Sequence, residues 1–214
     1  MMIVPEVIVE NVNDPNLIKD ILKILPETSI EQVNWPELYP SNPIVYFKIA
    51  HNRTHLFLQY FVEENEILAK VEEDNGAVWT DSCVEFFIQI NDSPSYYNLE
   101  LSCIGKALLG NRIERKDVVY GSPEVMSSIK RYPSLGLESF DNRQGYFKWD
   151  LLVVVPVSAY WQSGLKTFKG LNARGNFYKC GDNLTEPHYL SWSPISTEKP
   201  NFHVPPFFCE LIFE

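Results

Sequence analysis

The chain is short of cysteine, histidine and positive charge, and it has no long apolar run. Each shortage removes a class of function. Its four cysteines, Cys83, Cys103, Cys180 and Cys209, lie far apart with no C-x-x-C pair, which excludes a zinc knuckle or a thioredoxin-like redox motif. Each sits in an apolar or strand-like run, so buried free thiols are expected. Of the four histidines, His51 and His55 have the i, i+4 spacing of a helical metal site. The residues around them read as a β-hairpin, where that spacing does not converge, so no metal site is expected there. With 18 Lys and Arg against 28 Asp and Glu, the formal charge is −10. A chain of that sign has no clustered cations for neutralising phosphates, and nucleic acid is excluded as a partner. No run of ~18 apolar residues is present, so membrane insertion is excluded too. The opening Met1-Met2-Ile3-Val4-Pro5-Glu6 has neither the basic nor the long apolar region of a signal peptide. A soluble protein is expected, with its compartment left open. Repeats, linkers and low-complexity segments are also missing, which predicts one domain over 1–214 with residues 1–40 as an N-terminal appendage.

What the sequence does have is aromatic and apolar residues, 14% and 45% of the total, punctuated by 15 Pro and 10 Gly. This composition predicts an all-β fold, a β-sandwich of jelly-roll or immunoglobulin-like type with one short N-terminal helix. The helix is predicted over 14–25, with Asp14 as N-cap, Pro15 at its first position and Pro26 as its stop. Its apolar stripe is expected to cap one end of the sandwich. Ile44–Ile49 and Leu56–Val62 alternate with period two around a His51-Asn52-Arg53-Thr54 turn, which predicts a hairpin. Further strands are predicted at 67–71, 83–90, 96–103, 106–109, 127–132, 136–139, 146–155, 169–179, 189–192 and 207–213. Turns are predicted at 91–94, 141–145 and 181–183. Haem needs a His or Met pair facing an apolar cavity, and Met126, at the edge of the candidate strand 127–132, has no histidine opposite it.

The stretch Val78-Trp79-Thr80-Asp81-Ser82-Cys83-Val84-Glu85-Phe86-Phe87-Ile88 carries the main functional signal. Trp79 follows the acidic turn Glu72-Glu73-Asp74-Asn75-Gly76, which puts it near a loop rim. An indole face there suits the C–H side of a pyranose ring, and a carboxylate accepts two sugar hydroxyls. The competing reading is a core tryptophan ahead of an amphipathic strand. By alternation Val84, Phe86 and Ile88 share one strand face, and Glu85, Phe87 and Gln89 the other. Glu100 on the next strand could join Glu85 across the sheet, a costly pairing without a cation. Arg174, sharing its face with Asn172 and Asn176, is the expected partner, although a structural salt bridge would account for the same residues. Phe202 and His203 could supply a second wall. Asp81, Asp92, Asp182, Asn91 and Asn183 could hold a structural calcium, as ordinary turn residues also would appear. No other cofactor is implied.

Placed in order, these elements resemble the family 9 carbohydrate-binding modules and related DOMON-like sandwiches. Trp79 to Phe87 resembles the family's Trp-x-x-Asp-x-Val-Glu-aromatic signature, and Tyr96-Tyr97-Asn98-Leu99-Glu100 the strand after it. Trp149-Asp150 through Val155-Pro156 is similar to its long central strand, and Gly170 to Phe177 to its Gly-aromatic-Asn strand. Leu190-Ser191-Trp192-Ser193-Pro194 running into Phe202 to Phe208 completes the series. The resemblance spans from about Ile44 to the C-terminus and leaves the first ~40 residues unmatched. It implies non-catalytic binding of an oligosaccharide or polysaccharide, in polysaccharide recognition or degradation, through Trp79, Glu85, Glu100, Arg174, Asn176, Phe202 and His203. Where the family places a second tryptophan, this chain has Phe202 and His203. The alternative function is a glycoside hydrolase using Glu85 and Glu100 as acid and base. An arginine beside them would lower both carboxyls and spoil the acid, which favours binding over catalysis.

Overall fold

The structure, a computed structural model, describes residues 1–214. Two sheets carry the chain. The strands are β1 (Met2–Val4), β2 (Thr28–Ser29), β3 (Gln32–Val33), β4 (Ile44–His51), β5 (His55–Ala69), β6 (Cys83–Ile90) and β7 (Tyr96–Ser102), then β8 (Ala107–Arg112), β9 (Val118–Tyr120), β10 (Lys130–Pro133), β11 (Phe140–Pro156), β12 (Asn172–Cys180), β13 (Tyr189–Ser191) and β14 (Cys209–Phe213). The first sheet runs β1-β14-β12-β6-β7-β8-β9, with β13 and β3 continuing from the other half of the β12 edge. The second runs β10-β11-β5-β4-β2. Alternation fills the space between them: Val84, Phe86, Ile88, Leu99, Leu101 and Phe177 from the first sheet meet Phe47, Leu58, Tyr60, Leu151 and Val153 from the second, all buried in one core.

The helix α1 (Pro15–Lys23) forms where the sequence predicts it. Asp14 accepts from the Asn16 and Leu17 amides at 3.0 and 3.2 Å, and the Lys48 ammonium, reaching across from β4, donates to the Lys23 carbonyl at 2.8 Å. Both ends therefore have partners for orphaned backbone groups. Ile18 and Leu22, one turn apart, pack on Ala50, Phe57, Leu152 and Val154. The helix thus covers the outer face of the second sheet rather than an end of the sandwich, because that face is itself apolar. A second helix, α2 (Pro123–Ser128), capped by Ser122, occupies part of the predicted strand at 127–132, and Met126 is buried on it. The predicted strand at 67–71 is the end of the long β5, and 136–139 is not a strand. The predicted turn at 141–145 lies inside β11, where register shifts between Phe140 and Arg143 and between Gln144 and Phe147 absorb the turn-like sequence.

Residues 1–40, set apart above as an appendage, contribute strands to both sheets: β1 pairs with β14 in parallel, β3 with β13, and β2 with β4. Inside the sandwich, Lys179 of β12 reaches Glu64 of β5 at 2.8 Å with both side chains buried. The Trp149 indole donates to the other Glu64 oxygen at 2.7 Å, and the Lys179 ammonium lies 2.8 Å from the His188 Nε2. Burial, with Lys179 beside it, holds His188 well below the usual imidazole value, so it accepts as a neutral ring. This network ties the segment 181–189 to both sheets.

Candidate functional site

The outer face of the first sheet is polar in one patch and roofed by loops. On it the antiparallel register places Glu85 directly opposite Glu100 and, on the other side, opposite Tyr178. Asn98 and Glu100 share that face of β7, as do Gly110 and Arg112 on β8. A cavity of about 440 Å3 opens over them, lined by Trp79, Glu85, Glu100, Arg112, Asp182 and His203 among others. Aromatic rings of Tyr39, Tyr120, Tyr189 and Phe202 complete its walls.

Trp79 is held by its backbone. It sits in a 3-10 turn, Val78–Thr80, between β5 and β6. The next residue but one, Asp81, is buried and accepts from the Lys70 and Val71 amides at 3.0 and 2.9 Å, clamping the turn to the end of β5. The Trp79 carbonyl accepts from the Asp182 amide at 3.1 Å, which docks the neighbouring wall against it. The indole is half-buried, packed on one side against the roofing cluster and facing the cavity on the other. The pure core reading of this residue therefore does not hold.

The floor is electrostatically unusual. Glu85 and Glu100 are each 3% exposed, side by side on adjacent strands. The Arg112 Nε donates to the Asn98 Oδ1 at 2.8 Å, and the Asn98 Nδ2 donates to the Glu100 Oε1 at 2.8 Å, so the guanidinium reaches the carboxyl through an amide. Gly110 makes room for this: a Cβ there would lie 2.7 Å from the Asn98 Oδ1. The Glu100 Oε2 has no partner. The Cys180 thiol lies 3.1 Å from the Glu85 Oε1. Burial pushes Glu85 well above the carboxylate range, with Cys180 and Glu100 adding to the shift. Burial also pushes Glu100 up to about 7, against the lowering pull of Asn98 and Arg112. The expectation that a nearby guanidinium would lower both carboxyls is corrected, because desolvation outweighs a screened and indirect cation.

Of the seven predicted site residues, five line the cavity: Trp79, Glu85, Glu100, Phe202 and His203. Phe202 is nonetheless mostly packing, stacked on Tyr178 with centroids 4.1 Å apart. His203 places Nδ1 2.9 Å from the Tyr96 hydroxyl, and burial with Arg112 and Arg115 nearby lowers it to about 3. Arg174 and Asn176 are not brought to the cavity. Arg174 pairs in register with Gln89, four residues along β6 from Glu85 and thus about 13 Å away. It is exposed and donates to the Phe208 carbonyl at 2.8 Å. Asn176 is buried and staples β12 to Ser193, accepting from the Ser193 amide at 2.9 Å and donating to its carbonyl at 3.0 Å. It fills the gap on the β12 edge between β13 and β14.

The wall residues that the sequence does not point to are Tyr39, Arg112, Arg115, Tyr120 and Tyr189, while Cys180 is expected there as a buried thiol and Asp182 as a turn residue or calcium ligand. Arg112 had a legible signal, since extending the alternation past Leu109 puts it on the face of Asn98 and Glu100. Of the calcium candidates, Asp81 serves backbone amides and Asp182 lines the cavity. The cluster of three potential ligands that does form is Cys83, Glu85 and Cys180.

A sequence profile of carbohydrate-binding family 9 matches residues 15–213, so the match takes in the helix that the sequence reading left outside the resemblance. None of the curated proteins is similar enough to match. Among solved structures, a candidate carbohydrate-binding protein from Bacteroides uniformis is 39% identical, with a TM-score of 0.96 over 100% of this chain and 98% of that one. A family 9 carbohydrate-binding module from Caldicellulosiruptor kristjanssonii in complex with cellotriose gives a TM-score of 0.58 at 10% identity, over 100% and 93%. Its complex with glucose gives 0.52 at 12% identity, over 100% and 95%.

Proposed function

The chain belongs to carbohydrate-binding family 9, and from that membership we propose that it holds an oligosaccharide, or the end of a polysaccharide, in the cavity under Trp79 without turning it over. The observation that carries this reading is the convergence of one half-exposed indole with Glu85, Glu100 and Arg112 around about 440 Å3 of open space. The volume is that of ordinary small-molecule sites, about 300–1,000 Å3. The indole offers apolar surface to a sugar ring. The free Glu100 oxygen and the guanidinium offer an acceptor and donors to hydroxyls. The other aromatic walls exclude water from those contacts.

Hydrolysis by the Glu85 and Glu100 pair fits the arrangement less well. Glycosidases place two carboxyl groups on either side of the scissile bond. Here both project from one face of one sheet and approach a ligand from the same side. Calorimetric titration with glucose and cellotriose, backed by a glycan array, is the test. Trp79→Ala is expected to weaken the bound sugar about tenfold or more, which is about 1.4 kcal/mol or more, with an unchanged far-UV spectrum. Prolonged incubation is expected to release no reducing sugar. A variant that binds as tightly as the wild type would remove Trp79 from the site, and progressive release of reducing ends would replace binding by catalysis.

A further inference from the structure

We propose that Cys83, Cys180 and Glu85 form a site for a thiophilic divalent cation of the zinc type in the wall of the cavity. The sheet register builds it. Cys83 and Cys180 are directly opposed on β6 and β12, and Glu85 is two residues from Cys83 on the same face. The two sulfurs and a Glu85 oxygen all lie within 4.8 Å of one another, and the Cys180 Sγ to Glu85 Oε1 distance is 3.1 Å. Tetrahedral zinc, with Zn–S of about 2.3 Å and Zn–O of about 2.0 Å, separates its donors by about 3.5–3.8 Å. The donors already lie around that spacing, at 3.1 Å for Cys180 to Glu85 and none beyond 4.8 Å.

The chemistry of the cluster points the same way. Three acids are buried together, and none has a basic partner. The Arg112 Nε is engaged by Asn98, and Lys179, although next to Cys180 in sequence, faces the interior and pairs with Glu64. Beside the cluster, the Glu100 Oε2 is buried, unpartnered and at the wall of the same cavity. A cation supplies the positive charge that Cys83, Cys180 and Glu85 lack, since the Arg112 guanidinium on the same floor is directed to Asn98. Two thiolates select a soft or borderline ion over calcium or magnesium. Cys180 and Glu85 line the cavity while Cys83 lies behind them. The fourth coordination position therefore opens towards the cavity, where water or a ligand hydroxyl fills it. On binding, the thiol protons and any proton on Glu85 leave to solvent as the metal enters, with no change of oxidation state.

The other two cysteines serve as internal controls. The Cys103 thiol donates to the Leu68 carbonyl at 3.7 Å, and the Cys209 thiol lies 3.1 Å from the Ser193 hydroxyl, each away from the cluster. The experiment is a titration of the reduced, metal-free chain with Co2+ in the absence of sugar. The expected result is one equivalent bound, with a thiolate-to-cobalt charge-transfer band in the near ultraviolet, tetrahedral d–d bands in the visible and displacement of both by Zn2+. Cys180→Ser and, independently, Glu85→Gln should each weaken binding about tenfold or more, while Cys209→Ser leaves it unchanged. Absence of the charge-transfer band in the wild type overturns the proposal without any variant, as does a band that survives in Cys180→Ser.

Discussion

The carboxyl of Glu100 sets a pH dependence that a surface residue could not. Its folded value of about 7 lies above the ordinary 4.5, so the folded state binds the proton more tightly than the unfolded one. The stability linked to it is complete below the unfolded value and is lost as pH rises through about 7. His203 has the opposite sign. Held down to about 3 by burial, it contributes stability above its unfolded value that is lost as pH falls below 6.5. Glu100→Gln keeps the acceptor for Asn98 and removes the ionisation. Unfolding free energies from urea titrations of this variant should therefore gain on the wild type between pH 5 and pH 8, by about 1–3 kcal/mol; equal pH dependence would place Glu100 in contact with solvent. The site was half legible from residue types alone. Trp79, Glu85 and Glu100 follow from a turn and a strict alternation, whereas Tyr39, Tyr120 and Tyr189 come from three separate segments that only the closed fold brings together. Arg174 was misplaced because composition and face were right but register was unknown.

At the level of elements, the strand β6 matches its predicted bounds to the residue, since the alternation of its eight positions, seven of them buried, admits no other period. Sequence splits the long strand β5 in two and starts β11 only at Tyr146, because their polar, turn-like stretches at Glu63–Glu66 and Asp141–Gly145 are supported by pairing across the sheet instead of by local preference. Two- and three-residue strands such as β2, β3 and β9 carry no periodicity to read. The strand β12 depends on a close approach that one residue permits. At Gly175 a Cβ would fall 2.5 Å from the Phe87 carbonyl oxygen and 2.8 Å from the Leu211 Cδ1. Backbone on a central strand cannot yield as a side-chain tip can. Gly175→Ala should cost about 2 kcal/mol or more in chemical denaturation, and a loss under 0.5 kcal/mol, the range of ordinary surface substitutions, would mean that β12 can shift.

For the whole molecule, the ion pair between Lys179 and Glu64 is the polar rivet between two apolar sheets. Removing one partner leaves a buried charge, so Lys179→Met is expected to cost about 3–5 kcal/mol, while the double variant Lys179→Met, Glu64→Gln recovers most of that loss. A double-mutant cycle by urea unfolding checks it, and additive losses would show that the two charges act separately. The first and last strands form a second seam. Met2 pairs with Leu211 and Val4 with Phe213, running in the same direction. Tension applied through the two chain ends pulls these strands past each other along their length, so their hydrogen bonds are loaded in shear and must give together instead of unzipping one by one. A force applied through those ends meets this parallel joint first, while the cavity under Trp79 lies over β6, β7 and β8, off the line of load.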